Sequence, residues 1–374
     1  MDEVNPMAEM GFVHDKQIII EPQGFLTPAD TIRDAACEFI PHGDKLYDIF
    51  DRYNLVTTYV LNRDESNNTD SARLITPFLK AFDVTDYALR KYYDDNLPLM
   101  KNAGKVMDYF NNLLPTFIDS RMYEHASYTL SEKLNIPISA FNTTSLSLDG
   151  TRFSHGTEKS VREDAEAIAY LPVSNAGYVL NVPVELDDAE VNMISTFDDL
   201  FQKKYQKNEC ASLMQGITSV GANEKAYALL DIRKGTQVDL DGTVYIGGER
   251  IDYQVLDLVK DGNGLAMSFN GSEFAVHGSN VAVLSDDCTT AAVLVAKFYD
   301  TGIQGVFDLI DNWNRKYLEN SEFSFDPLVR ELLKNHPRKL PEVYRITREN
   351  VEEISLKSDA YRRKMVSKAH PKTV

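Results

Sequence analysis

The sequence predicts an α/β protein organised around a doubly wound parallel sheet, and three stretches carry that expectation. Gln17 to Ile20 is a short β-branched run followed by a loop and a helical pattern. Leu114 to Ile118 repeats that order, and the alternation of helix and strand resumes between Glu224 and Leu284. Two insertions interrupt it, a helical one over residues 33–104 and a mixed α/β one over residues 141–210.

Gln17-Ile18-Ile19-Ile20 reads as a buried strand running into the loop Glu21-Pro22-Gln23-Gly24. Thr27-Pro28-Ala29-Asp30 supplies a helix cap and an N-terminal proline, after which Ile32, Ala35, Ala36, Phe39 and Ile40 recur at helical spacing. From Asp44 to about Met100 the pattern stays helical, with Leu46, Ile49, Phe50 and Tyr53, then Leu74, Phe78, Leu79 and Phe82 on apolar faces. Leu114 to Ile118 is the second strand, and Tyr123, Ala126, Leu130 and Leu134 mark the helix after it. Alternating stretches at Thr144 to Leu148 and Tyr178 to Val184 beside a helical run, Arg162 to Tyr170, give the second insertion its mixed character. A helix at Glu224 to Leu230, a strand at Val244 to Ile246 and a helix at Tyr253 to Val259 follow. Strands at Gly264 to Met267 and Val281 to Leu284 close the series. On this reading the core comprises residues 14–32, 105–140 and 211–310. Residues 311–374 form a charged, helical, proline-interrupted extension, an appendage or interaction arm.

A chain of 374 residues suffices for two domains or for one with large insertions. Its net charge of −18 repels phosphate backbones and anionic membrane surfaces, so nucleic acid is excluded as an expected partner. No apolar run approaches the ~18–20 residues that span a bilayer. Met1 to Gly11 is acidic and unlike a signal peptide, and Cys37, Cys210 and Cys288 stand far apart, which together point to a cytoplasmic protein with reduced thiols. The glycosylation sequons at Asn67, Asn142 and Asn270 are then chance. The seven histidines lack H-x-x-x-H or H-E-x-x-H spacing, and there is no P-loop, G-x-S-x-G elbow or G-x-G-x-x-G after a strand.

Open parallel sheets bind ligands outside the carboxyl ends of their strands. Four segments occupy such places: Glu21 to Pro28, Asp119 to Glu124, the helix start around Lys225, and Gly247 to Asp252. Several stretches there and nearby are distinctive, among them Gly24-Phe25-Leu26-Thr27-Pro28, Ile40-Pro41-His42-Gly43-Asp44-Lys45 and Thr76-Pro77-Phe78-Leu79. Tyr123-Glu124-His125, Val220 to Ala226 and Gly264 to Gly271 complete the set, the last being the most specific. In these stretches, over about residues 17–310, the chain resembles the haloacid dehalogenase superfamily, and within it the archaeal group called energy-converting hydrogenase A subunit R. The resemblance implies a Rossmann-like doubly wound sheet with a helical cap. It also implies phosphoryl transfer through an aspartyl-phosphate, with Mg²⁺ neutralising charge.

The resemblance places the attacking aspartate at Glu21 and its acid partner at Gln23, neither being the family's residue. Glutamate is one methylene longer, and a displacement of about 1 Å from in-line geometry can cost ~100-fold. Ser120 and Arg121 fall where a phosphate is gripped, and Lys225 matches the lysine that bridges nucleophile and phosphate. The metal-binding G-D-x-x-x-D pattern reads Gly247-Gly248-Glu249-Arg250-Ile251-Asp252, so Asp252 and Glu249, with Glu21, are the candidate metal ligands, and Arg250 brings positive charge where a cation belongs. Each feature also has an ordinary reading: Glu21 and Lys225 as a buried ion pair joining two loops, Asp252 as the cap of the helix at Tyr253. Three functions follow. The first is a catalytically silent relative serving as a binding or complex subunit, the second an Mg²⁺-dependent phosphohydrolase acting on a small phosphorylated ligand, and the third an anion sensor built on Lys225, Ser120 and Arg121.

Overall fold

Ile18, Ile19 and Ile20 are fully buried, which requires a strand covered on both faces. A computed structural model, describing residues 14–61, 63, 70–174 and 185–369, places them in β1 (Gln17–Ile20), an inner strand of a seven-stranded sheet. The other strands are β2 (Thr116–Tyr123), β3 (Phe141–Thr144), β4 (Thr243–Gly247), β5 (Leu265–Phe269), β6 (Val281–Leu284) and β7 (Glu342–Arg345). Their order is β3-β2-β1-β4-β5-β6-β7, all parallel except β7, which runs antiparallel to β6. Winding reverses between β1 and β4, so the crevice at their carboxyl ends is the topological switch point. The doubly wound α/β class read from the sequence is the one observed.

After β1 come α1 (Thr31–Phe39), α2 (Gly43–Leu55), α3 (Ser71–Leu74), α4 (Thr76–Ala81), α5 (Asp86–Asn96) and α6 (Ala103–Leu113). Following β2 is α7 (Glu124–Leu134), and following β3 are α8 (His155–Ala169), α9 (Asp188–Phe197), α10 (Glu209–Gln215) and α11 (Ala222–Thr236). Then α12 (Tyr253–Asp261) joins β4 to β5, and α13 (Glu273–Gly278) joins β5 to β6. The chain ends in α14 (Thr289–Asp311), α15 (Arg315–Asn320), α16 (Asp326–Asn335), β7 and α17 (Val351–Ala369). Pleating splits β1 between two cores: Ile18 and Ile20 join the large cluster with α1, α6 and α14, and Ile19 joins Leu229, Tyr245, Val255 and Val259 on the opposite face. Away from the sheet an aromatic cluster ties α2 to α9. Phe50 lies 5.0 Å from Phe197 edge to face, and Tyr53 stacks on Phe197 at 4.7 Å.

Within Thr27 to Asp30 the residue that caps α1 is Asp30, its carboxylate accepting the Arg33 N–H, while Thr27 accepts from Ala29 N. Several other local expectations are corrected. The second strand begins at Thr116 and runs to Tyr123, so Asp119, Ser120, Arg121 and Met122 lie on a strand with irregular register rather than on a loop. The mixed insertion begins with Phe141–Thr144, which belongs to the main sheet as β3; of Thr144 to Leu148 only Thr144 is in that strand, with Ser145 in an isolated bridge to Thr218, and Tyr178 to Val184 lies outside the described residues. The helical extension contains β7, which extends the sheet beyond β6. Asn270, a sequon residue, is buried and ties three loops: its amide donates to Gly24 O at 3.1 Å and Ser285 O at 2.7 Å, and its carbonyl accepts from Ser285 N.

Candidate functional site

Glu21 follows the last residue of β1, and its carboxylate is fully buried in the switch-point crevice. Oε1 accepts from Ser120 Oγ at 2.7 Å and from the Gln23 N–H at 3.1 Å; Oε2 accepts from Lys225 Nζ at 2.7 Å. Lys225 rises from the first turn of α11 and is itself fully buried. Its ammonium also donates to Asp252 Oδ1 at 2.7 Å and to the Asp119 carbonyl at 2.9 Å. An ammonium has three protons, and all three are spent inside the protein. Desolvation pulls the lysine's pKa down, yet Asp252, Glu21 and Asp119 outweigh it and hold it above the ordinary value.

Asp252 stands at the start of α12 but does not cap it. Its Oδ2 turns back to accept from Gly248 N at 2.8 Å and Glu249 N at 2.7 Å, closing the loop after β4 around a carboxylate. The ordinary reading of Asp252 as a helix cap is therefore replaced by a loop clamp. Gly248 makes the loop feasible, because a Cβ there would lie 2.9 Å from Phe269 O. The Tyr245 hydroxyl sits 3.3 Å from Asp252 Oδ1 and 3.4 Å from Asp119 Oδ2, and Asn142 donates to Asp119 Oδ1 at 2.7 Å. Burial is the main cause that raises the pKa of Glu21 to about 7 and that of Asp119 to about 6. Lys225 opposes the rise in both and Asp252 adds to it.

A second, arginine-rich layer borders this cluster. Arg121 donates to Tyr47 Oη at 2.6 Å, Ser71 Oγ at 3.1 Å and Asp30 Oδ2 at 3.3 Å, and lies 3.9 Å from Glu249 Oε2. Arg362, from α17, donates to the Gly248 carbonyl at 2.7 Å and is paired with Glu249. Burial raises the pKa of Glu249, but Arg362 and Arg121 prevail and hold it below the ordinary range. Arg250 turns away to Asp51, at 2.8 Å, and stacks over Tyr59. The space framed by Gln23, Gly24, Pro28, Asn270, Arg362 and Met365 is about 10 Å³, room for about one water.

The structure thus brings Glu21, Ser120, Lys225 and Asp252 into one bonded cluster, with Gln23 contributing its backbone N–H. Arg121 and Glu249 fall in the adjoining layer. Asp30, Tyr47, Asp119, Tyr245 and Arg362 escape sequence reasoning. Asp119 alone carried a signal, standing next to the Ser120 position just past the strand expected at Leu114 to Ile118.

No protein-family model matches the chain, and no curated protein matches it in sequence. Among solved structures it is similar to gene product AF1437 from Archaeoglobus fulgidus, with TM-score 0.75 and 16% identity over 96% of this chain and 99% of that one. It is also similar to a phosphoserine phosphatase in apo form, with TM-score 0.45 and 13% identity over 74% of this chain and 97% of that one. A phospho-aspartyl intermediate analogue of phosphoserine phosphatase aligns with the same score and identity over 73% and 95%. At its identity the likeness to AF1437 is one of fold.

Proposed function

We propose that this chain is a haloacid-dehalogenase-like protein whose strand-end site has become an internal ion-pair network, and that it acts as a catalytically silent binding or complex subunit. The observation that carries this reading is the saturation of Lys225, whose three protons go to Glu21, Asp252 and the Asp119 carbonyl and leave none for a phosphate. Magnesium demands oxygen ligands at about 2.0–2.1 Å in near-octahedral array. Glu21 Oε1 and Asp252 Oδ2 each already accept two hydrogen bonds, and the other oxygen of each faces the Lys225 ammonium. Glu249 is held by Arg362 and Arg121. That donor set does not fit Mg²⁺. The finer resemblance, to a hydrogenase subunit group, belongs to this proposal as the kind of complex such a subunit would serve. So does a cytoplasmic setting, which the free thiols of Cys37, Cys210 and Cys288 support. Among the described residues no helix is long and apolar enough to cross a membrane.

One observation favours the phosphohydrolase reading: Glu21, raised to about 7 mainly by burial, has the pKa of a general base. A phosphomonoester screen on the full chain with Mg²⁺, beside Glu21→Ala, separates the two. Silence predicts equal background rates for both proteins and no saturable Mg²⁺ binding by calorimetry. Magnesium-dependent turnover that Glu21→Ala abolishes would overturn it, and phosphate-dependent thermal stabilisation lost in Lys225→Ala would establish the anion sensor instead.

A further inference from the structure

Away from the strand ends, α17 meets α13 at a cluster that the site above does not use. Glu273 and His277 stand one turn apart on α13, so both project from one face, and Glu352 comes from the first turn of α17. One ligand atom from each lies within 4.8 Å of the other two. An independent observation points to a missing partner: His277 Nε2 is shielded from solvent and makes no hydrogen bond. Glu352 Oε1 is 3.6 Å from it, too long for a hydrogen bond. Two ligands on one tetrahedral ion, each about 2.0–2.1 Å from the metal, are about 3.4 Å apart, so the gap is close to that of two atoms sharing a cation.

We infer that Glu273, His277 and Glu352 bind a divalent transition-metal ion of the zinc class and so fasten α17 to α13. One imidazole with two carboxylates is a nitrogen–oxygen set that suits zinc, whereas magnesium and calcium favour all-oxygen sites. Three protein ligands leave a fourth position for water. The consequence reaches the strand ends, since α17 also carries Arg362 and Ser358, whose hydroxyl donates to Gly271 O at 2.6 Å. The inference stands whether or not the strand-end site turns over substrate.

Titration of the full chain with Zn²⁺ by calorimetry, with Co²⁺ absorption as the spectroscopic check, tests it. The expected result is one ion per chain, a tetrahedral Co²⁺ spectrum, and a rise in Tm with Zn²⁺. His277→Ala and Glu352→Gln should each weaken binding by about 10–100-fold and remove the rise. Glu352 is 68% exposed, so Glu352→Gln remains informative if His277→Ala fails to fold. Absence of saturable binding, or binding that Glu352→Gln leaves unchanged, reduces the cluster to an ordinary ion pair and overturns the inference.

Discussion

Lys225 is the residue on which the strand-end cluster turns. Its ammonium touches carboxylates from the β1 and β4 ends and a carbonyl of β2, so one side chain joins three strands. Removing one partner of such a buried pair typically costs about 3–5 kcal/mol, because an uncompensated charge stays behind. The cluster is nevertheless over-supplied with acid: Glu21, Asp252 and Asp119 surround one cation, and burial raises Glu21 to about 7 and Asp119 to about 6. A carboxyl with a raised folded pKa holds its proton more tightly folded than unfolded. Its contribution is therefore full below the unfolded value and is lost as pH rises through the folded one. Glu21 makes stability fall with rising pH between about 4.5 and 7, and Asp119 does so between about 3.8 and 6. Glu21→Gln removes one of the titrations. Urea unfolding across that window should give a wild-type-minus-variant difference that changes by up to about 1.4 kcal/mol per pH unit. Parallel curves would show that Glu21 is ionised throughout, which also removes the case for it as a neutral-pH base.

At the scale of elements, legibility followed burial. β1 and β6 are read to the residue, Gln17–Ile20 and Val281–Leu284, because strands covered on both faces are unbroken apolar runs. β7 was not readable: Glu342, Val343, Tyr344 and Arg345 form an edge strand with one buried residue, and four such positions among helices carry no period. Its docking makes the C-terminal segment part of the molecule, since Val343 pairs with Val283 and Ile354 of α17 packs on Ala282. Trp313 is the chain's single tryptophan, and its indole donates to Pro341 O at 2.9 Å, just before β7, so it reports on this docking. Val343→Asp should cost about 1–3 kcal/mol by burying a charge without a partner, and should red-shift Trp313 emission while far-UV dichroism stays near wild type. Unshifted emission in a folded variant would mean that β7 contributes little to holding the segment in place.

For the molecule as a whole, the sequence located the crevice but not its contents. Strand–helix alternation is local, and it places Glu21, Ser120, Lys225 and Asp252 at one sheet end, where they meet. Charge pairing is not local: Arg362 reaches Glu249 across 113 positions and Arg121 reaches Asp30 across 91, and no spacing rule announces either. The same imbalance that crowds the crevice with carboxylates runs through the chain, with 57 acidic against 39 basic residues and a net charge of −18. Excess like charge opposes the compact state by self-repulsion. Salt screens exposed charges over a Debye length of about 10 Å at 0.1 M and leaves buried pairs such as Lys225–Glu21 almost untouched. Raising NaCl from about 0.02 to about 0.5 M should therefore raise Tm by about 1–3 °C, because the repulsion it removes exceeds the exposed i,i+4 pairs it weakens, such as Lys91–Asp95 and Lys159–Glu163. A fall in Tm over that range would show the opposite ranking, with surface ion pairs outweighing the net charge and a fold that relies on attraction at its surface as well as in its crevice.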